Sequence, residues 1–363
     1  MSQSSRVSSS PPRSVDRNIG LDLGDRKSRL CELDADGTVL VEAEVATTRA
    51  ALTHHFGDRP RCRVVLETGT HSPWVSRLLT ALGHEAIVAN PAAMYGSRRQ
   101  RGRRRRNDRL DAEFLARQGR SDVQLLHPIT HRSATAQEHL ELIRARDQVV
   151  QTRTKLINHV RGAVKALGSR LPACSAEAFP ARAATALPAG ATAALQPMLG
   201  LITTLTQQIT AYDRALEQLV ETTYPMVERL RGPAGVGLLT ALTYVLVIED
   251  PKRFQKSRTV GAYLGLVPQL DDSSDAQPQL RITKAGDQLA RRLLVSAAQY
   301  ILGPFGPDCE LRRHGEGIAR RGGKNAKKRA VVAVARKLAV LLHRLWVSDT
   351  PYDPDYRQHQ QAA

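Results

Sequence analysis

An α/β domain followed by a long helical region is the architecture this 363-residue chain predicts, and three observations carry that expectation. Residues 18–46 alternate apolar and polar with the period of a β-strand. Strand and helix patterns then take turns up to about residue 126, the signature of a sheet covered by helices. Beyond 126 the strand signal stops and apolar residues recur at helical spacings.

The elements follow in order. In NIGLDLGD, Ile19, Leu21 and Leu23 fall on one face of a strand and Gly20, Asp22 and Gly24 on the other. KSRLCELDADGTVLVEAEV reads as a hairpin that turns at DADG. A short helix near 48–56 precedes CRVVLETG, a strand ending at Glu67, and a helix at about 72–82 leads to the strand of HEAIVANP. After the arginine run RRQRGRRRR a helix begins at Asp108. Three strands, helix, strand, helix, strand, helix is the order of a sheet with an antiparallel edge, as found in RNase H-like folds.

In SATAQEHLELIRARDQVVQTRTKLINHVRGAVKAL, Leu140, Ile143, Val150, Leu156, Ile157 and Val160 sit at helical spacings opposite a basic face. An Ala/Pro-rich breaker, 174–197, separates this helix from a second one that runs to about 222. The pair reads as a projecting hairpin or coiled-coil arm, or equally as part of a plain bundle. From 226 a compact helical domain begins. LRGPAGVGLLTAL has the Gly-apolar-Gly turn of a helix-hairpin-helix, which offers backbone N–H groups to phosphates, and it reads equally as an ordinary helical turn. The expected division is a solvated tail (1–17), an α/β domain (18–126), a helical arm (127–225), a C-terminal helical domain (226–347) and a polar tail (348–363).

Composition narrows the function. Lys plus Arg is 53 against 35 for Asp plus Glu, a net charge of +18. A chain this basic is expected to meet a polyanion, nucleic acid above all. No apolar run approaches the roughly 20 residues that a spanning helix needs. The four cysteines (Cys31, Cys62, Cys174, Cys309) are scattered, without CxxC or zinc spacing, which points to a reducing compartment with neither disulfides nor a zinc site. The Ser/Pro-rich start lacks the apolar stretch of a secretory signal.

Four carboxylates stand out. An uncompensated Asp22 on a half-buried strand costs several kcal/mol, and the flanking glycines leave room for a close ligand; a structural aspartate at the hairpin is the plainer alternative. Glu67 closes its strand where the chain opens onto a sheet edge. Asp108 and Asp111 are three apart and share a helix face. Asp108 alone reads equally well as an N-cap, but capping does not account for Asp111. Carboxylates converging from two strands and one helix suit Mg2+ or Mn2+, in a two-metal arrangement of roughly 4 Å separation for phosphoryl transfer. The arginine run beside them would hold the polyanion. GLDLGDRKS also looks like the first phosphate loop of actin-like kinases and ATPases, but the second Asp-Gly loop and the Gly-rich adenosine segment of those proteins are missing. A Walker loop fails as well, since Gly24 is followed by Asp25.

IGLDLG, LETGTHS, NPAAMYGSR, NDRLDAEFLAR, LRGPAGVGLLTA, RFQKSRTVGAYLGLVPQ and ITKAGDQLARRLLVSAA occur in that order, with PYDP closing the set. Together they resemble the DEDD-type transposases of bacterial insertion sequence 110 and its relatives, from 18 to about 352. The resemblance implies a RuvC-type, RNase H-like N-terminal domain whose acidic tetrad falls on Asp22, Glu67, Asp108 and Asp111. It implies a nucleophilic serine a few residues after GLVP, which falls on Ser273, with Ser274 where a glycine usually follows; that departure leaves Ser274 as the alternative. A second departure is RNDRLDA, where the family more often has Lys-Thr before the first of these aspartates.

The activity implied is a DNA recombinase that works through a protein–DNA serine ester, with donor and target duplexes chosen by a non-coding guide RNA. A homodimer or homotetramer in the cytoplasm, at the nucleoid and away from membranes, goes with that reading. A metal-dependent junction nuclease and a non-catalytic nucleic-acid-binding protein are the alternatives. Expected nucleic-acid contacts are Arg98, Arg99, Arg101, Arg103, Arg104, Arg105 and Arg106 in the arginine run. Lys284, Arg291 and Arg292 follow the serine segment, and Lys324, Lys327 and Lys328 lie in a Gly/Lys-rich loop feeding a basic helix.

Overall fold

The computed structural model describes residues 16–90, 108–269 and 280–356, and the chain divides into two compact units, Met1–Ala134 and Thr135–Ala363. The first is mixed α/β. Strands β1 (Asn18–Asp22), β2 (Lys27–Leu33), β3 (Val39–Ala46), β4 (Arg63–Glu67) and β5 (Glu85–Ala89) form one sheet in the order β3-β2-β1-β4-β5. The β1–β2 and β2–β3 pairs are antiparallel, and β1–β4 and β4–β5 are parallel. This arrangement is compatible with the RNase H-like expectation. The DADG hairpin forms as expected: Asp34 Oδ1 accepts from the amides of Asp36 (3.0 Å) and Thr38 (2.8 Å), and Gly37 takes the positive φ of +90° that the turn requires.

Side-chain alternation splits the sheet into two faces. Ile19 and Leu21 of β1, Val64 and Leu66 of β4 and Val88 of β5 pack with Leu52 and Phe56 of α1 (Arg49–Phe56) and with Val75 and Leu79 of α2 (Ser72–Ala81). On the other face Val65 and Ala89 meet Phe114 and Leu115 of α3 (Asp108–Ser121). That helix presents its small residues to the sheet. A Cβ built on Gly20 would collide with the carbonyl oxygen of Ala112 and would stand 2.5 Å from the amide nitrogen of Ala116. At Gly119 a Cβ would collide with a methyl of Val65. The room at Gly20 is therefore filled by the backbone of α3, not by a ligand, which corrects the reading of that glycine from sequence. Gly24 has no space for a ligand either, because its Cβ position is taken by the Lys27 carbonyl across the hairpin.

Gly20→Ala is accordingly expected to destabilise the protein by about 3 kcal/mol, since neither obstructing atom belongs to a side chain that can rotate away. Denaturant unfolding measures it, and an unchanged midpoint would show that α3 does not lie where described.

The second unit is built from helices. Helices α4 (Ala134–Ala166) and α6 (Ala189–Thr223) run antiparallel, joined through the short α5 (Phe179–Ala184). Their register is marked by His139 Nδ1 to Tyr224 Oη at 2.8 Å, the two-pronged Arg146–Asp213 pair at 2.5 and 3.1 Å, and Arg153 to Thr206 at 3.2 Å. One end of the hairpin packs its own cluster around Phe179 and Ile202. The other contributes Leu140, Ile143, Leu216 and Val220 to the core of the unit, together with α7 (Met226–Leu230), α8 (Leu238–Ile248), α9 (Val260–Tyr263), α10 (Gln288–Leu302), α11 (Glu310–Arg320) and α12 (Ala326–Ser348). Every side chain of α8 from Thr240 to Ile248 is buried, and Tyr244 donates to the carbonyl of Ala339 at 2.7 Å. The LRGPAGVG turn packs inward: at Gly235, with φ +78°, a Cβ would come within 2.9 Å of the Ala297 carbonyl oxygen.

Candidate active site and nucleic-acid groove

The parallel register of β1 and β4 pairs Leu21 with Leu66, so Asp22 and Glu67 are the next residues at the C-terminal ends of adjacent strands. Asp22 lies two residues beyond Gly20 and Glu67 two beyond Val65, which puts both on the α3 side of the sheet. The direction of α3 is fixed at its far end. Arg63, at the start of β4, donates to the Gly119 carbonyl at 2.9 Å, and Arg120 donates to the Ala35 carbonyl at 3.1 Å in the β2–β3 turn. The helix thus runs antiparallel to β1 and β4, crosses Gly20 at Ala112, and brings its first turn toward the strand ends that carry Asp22 and Glu67. Asp108 and Asp111 belong to that first turn.

Asp22, Glu67 and Asp111 are each half-buried, while the Asp108 side chain lies outside the described residues. Among the described residues no three His, Cys, Asp or Glu side chains stand at metal-ligating spacing, so the convergence is one of backbone positions on a shared edge and face. The donor set consists of carboxylates throughout, chemistry that suits a hard divalent cation. The turn after Glu67 is held by contacts that the sequence does not announce. Ser72 Oγ accepts from the Gly69 amide (3.0 Å), donates to its carbonyl (2.8 Å) and meets His131 Nε2 at 2.9 Å. Burial, then the charges of Arg77 and Arg132, lower the pKa of the His131 imidazole and favour its uncharged form.

In the second unit, residues 265–269 and 281–285 form a two-strand stem. The bridge Pro268↔Ile282 is flanked by Gln269 N to Arg281 O and Thr283 N to Val267 O, both 2.9 Å. Its geometry requires positive φ at Gly265 (+67°), Lys284 (+56°) and Gly286 (+70°). Asp287 then caps α10 by accepting from the Ala290 amide at 3.0 Å, and Arg144 of α4 holds the same carboxylate at 3.1 Å. The segment spanned by this stem contains Ser273 and Ser274, which lie outside the described residues, as does the arginine run Arg98–Arg106.

Beside the stem opens a groove of about 1410 Å³, walled by Pro268, Leu280 and Ile282 of the stem region, by α11, by α12 and by residues 352–356. Nine Lys or Arg side chains line it against two carboxylates, Glu310 and Asp353. Of the basic residues expected from sequence, Lys284, Lys324 and Lys328 line this groove and Lys327 is exposed on α12. Arg291 is engaged with the carbonyls of Leu264 (3.0 Å) and Ala285 (2.6 Å), and Arg292 pairs with Asp147 at 2.5 Å. Sequence reasoning missed Arg281, Arg321, Arg329, Lys337, Arg336 and Arg344. The last two had a signal, since Lys328, Val332, Arg336, Val340 and Arg344 recur every four residues and form one stripe along α12.

A DEDD-type IS110 transposase family model matches residues 19–168, and the model described as transposase IS116/IS110/IS902 family matches residues 227–308. The chain is 25% identical over 347 residues to the transposase for insertion sequence element IS1111A of Coxiella burnetii, covering 92% of this chain and 90% of that one. A probable family 20 transposase of Pseudomonas aeruginosa is 26% identical over 343 residues (93% and 98% covered). The transposase for insertion sequence element IS1328 of Yersinia enterocolitica is 27% identical over 295 residues (78% and 83%). The first match spans the carboxylate edge and the second reaches from α7 through the serine segment to α10, so both candidate sites fall inside matched regions. The chain belongs to the IS110 family of transposases.

Proposed function

We propose that this transposase breaks and rejoins DNA strands through a phosphoserine intermediate, with Ser273 as nucleophile and Ser274 as the alternative. Asp22, Glu67, Asp108 and Asp111 hold Mg2+ or Mn2+, which when bound supplies Lewis-acid polarisation at the phosphoryl oxygens. The observation that supports the reading is the shared edge: the ends of β1 and β4 and the first turn of α3, which carry these four residues, lie at one end and on one face of the sheet. The serine hydroxyl loses its proton to a base as Oγ bonds to phosphorus. The P–O3′ bond breaks, and the 3′-oxygen leaves protonated as a free hydroxyl. Attack by the 3′-hydroxyl of the exchanging strand then re-forms a phosphodiester and returns the proton to serine. Because the ester conserves the bond, no nucleotide hydrolysis is needed.

The partners in this reading are donor and target duplexes and a non-coding guide RNA that selects them by pairing. The acting species is a homodimer or homotetramer at the nucleoid. The chain is organised as a RuvC-type RNase H-like domain (18–126), a helical coiled-coil arm (127–225) and an all-α domain carrying the serine (226–347), with a tail at 1–17 and a polar C-terminal segment (348–363) whose residues 352–356 pack back on the all-α domain. The arginines from Arg98 to Arg106, with Lys284, Arg291, Arg292, Lys324, Lys327 and Lys328, serve nucleic-acid binding. Support comes from the net charge of +18 and from the basic groove beside the stem.

The test is to incubate the protein, a divalent cation, the ends of its own element and the flanking transcript, then denature and look for DNA covalently bound to protein. The expected product is an adduct that maps by mass spectrometry to the 270–279 segment. Cleavage without any adduct would make the enzyme a hydrolytic nuclease.

A further inference from the structure

The groove beside the stem has two properties that binding to duplex backbone does not require. Its size, about 1410 Å³, exceeds the roughly 300–1,000 Å³ of small-molecule pockets and leaves room for a polymer segment. Its cations alternate with apolar and aromatic surface: on α12, Val332 and Val340 separate Lys328, Arg336 and Arg344, and Tyr352 and Tyr356 face them from the C-terminal segment. A duplex keeps its bases stacked inside and offers phosphates to such a wall, whereas a single strand brings unstacked bases that need apolar partners. The Arg344 guanidinium carbon lies over the Tyr356 ring, 3.8 Å from its centroid, a cation–π pair that offers exposed bases two flat groups to pack on.

The aromatic wall is fixed in place. The Pro354 carbonyl accepts from the Glu310 amide at 3.0 Å, Asp355 pairs with Arg313, and Tyr352 packs on Gly232, where a Cβ would come within 2.9 Å of its own. Burial and the neighbouring Cys309 raise the pKa of the Tyr352 phenol, so the wall adds no phenolate charge at neutral pH.

We infer that this groove, between the 268/282 stem, α11, α12 and residues 352–356, is a binding site for single-stranded nucleic acid, with Arg344 and Tyr356 as its base-stacking platform. The inference deepens the proposed function by giving the helical unit its own ligand class, an unpaired strand, distinct from duplex held by backbone charge alone.

The experiment measures binding by fluorescence anisotropy, with divalent cations chelated so that nothing is cut. The probes are oligodeoxythymidine, oligouridine and a hairpin duplex. Tyr356→Ala is expected to weaken single-strand binding by about tenfold and duplex binding by less than about twofold. Arg344→Lys keeps the charge and removes the plane, so it should reproduce the selective loss while leaving the salt dependence of binding unchanged. Thermal melts confirm that both variants fold, and Arg344→Lys decides alone if Tyr356→Ala does not. A loss on either single-stranded probe supports the site and tells which strand it prefers. Equal losses on single strand and duplex, or none on either, overturn it. Adduct formation by the wild-type protein is scored separately, so failure here leaves the serine mechanism standing, and failure there leaves this site standing.

Discussion

Asp22→Asn is expected to lower DNA strand cleavage by about a thousandfold or more while leaving nucleic-acid affinity within about twofold. The two effects separate because they arise from different parts of the molecule. The carboxylate sits at the end of β1 on the α3 face, next in register to Glu67, and the substitution removes its charge while keeping its size. A divalent cation commonly contributes several kcal/mol to phosphoryl transfer, and about 4 kcal/mol corresponds to roughly a thousandfold in rate. In the proposed function affinity rests instead on the arginines and lysines, which the change does not touch. The fold should survive, since Asp22 is only half-buried and its strand is held by Ile19 and Leu21, both fully buried. Glu67→Gln should behave alike. Gel-resolved cleavage and anisotropy on the same preparations measure both quantities, and wild-type cleavage by the Asp22 variant would remove that residue from the site.

The first unit was largely legible in the sequence because its signals are local. Period-two alternation located β1, the DADG turn located the β2–β3 hairpin, short apolar runs located β4 and β5, and helix chemistry placed the Asp108 start of α3. Gly20 was misread because its role depends on a helix some ninety positions away: the stripe Ala112, Ala116, Gly119 lets α3 lie against β1, and no local pattern pairs that stripe with a particular glycine. The same holds for the groove, whose walls come from 266–268, 280–284, 310–344 and 352–356 and meet only after α12 packs into the core. Basic helices were visible from their charges, but not which of their cations line a groove, as Arg336 of α12 does, and which, like Arg291 of α10, bond to backbone carbonyls. Ser273 had no signal of its own; it became a candidate only through the family pattern after GLVP.

Ser273→Ala is expected to abolish both the covalent adduct and recombination, with binding of RNA and DNA retained. The size of the effect follows from positioning. Groups held against a reaction partner act at effective molarities of ~10⁵ M or more, so water in the same site cannot replace the hydroxyl at a comparable rate. The substitution removes one polar atom from a segment that begins and ends on the Pro268↔Ile282 stem, and the hydrogen bonds of that stem are backbone to backbone. Its fold should be unaffected. A hydrolytic two-metal enzyme would respond differently, because water is its nucleophile and the variant would cut normally. Ser274→Ala, assayed in parallel, addresses the position where the family pattern has glycine. Loss confined to Ser274→Ala would move the nucleophile by one residue and keep the chemistry. If both single variants and the double variant still cut DNA, the enzyme does not use a serine ester, and the carboxylate edge of the first unit works as a nuclease.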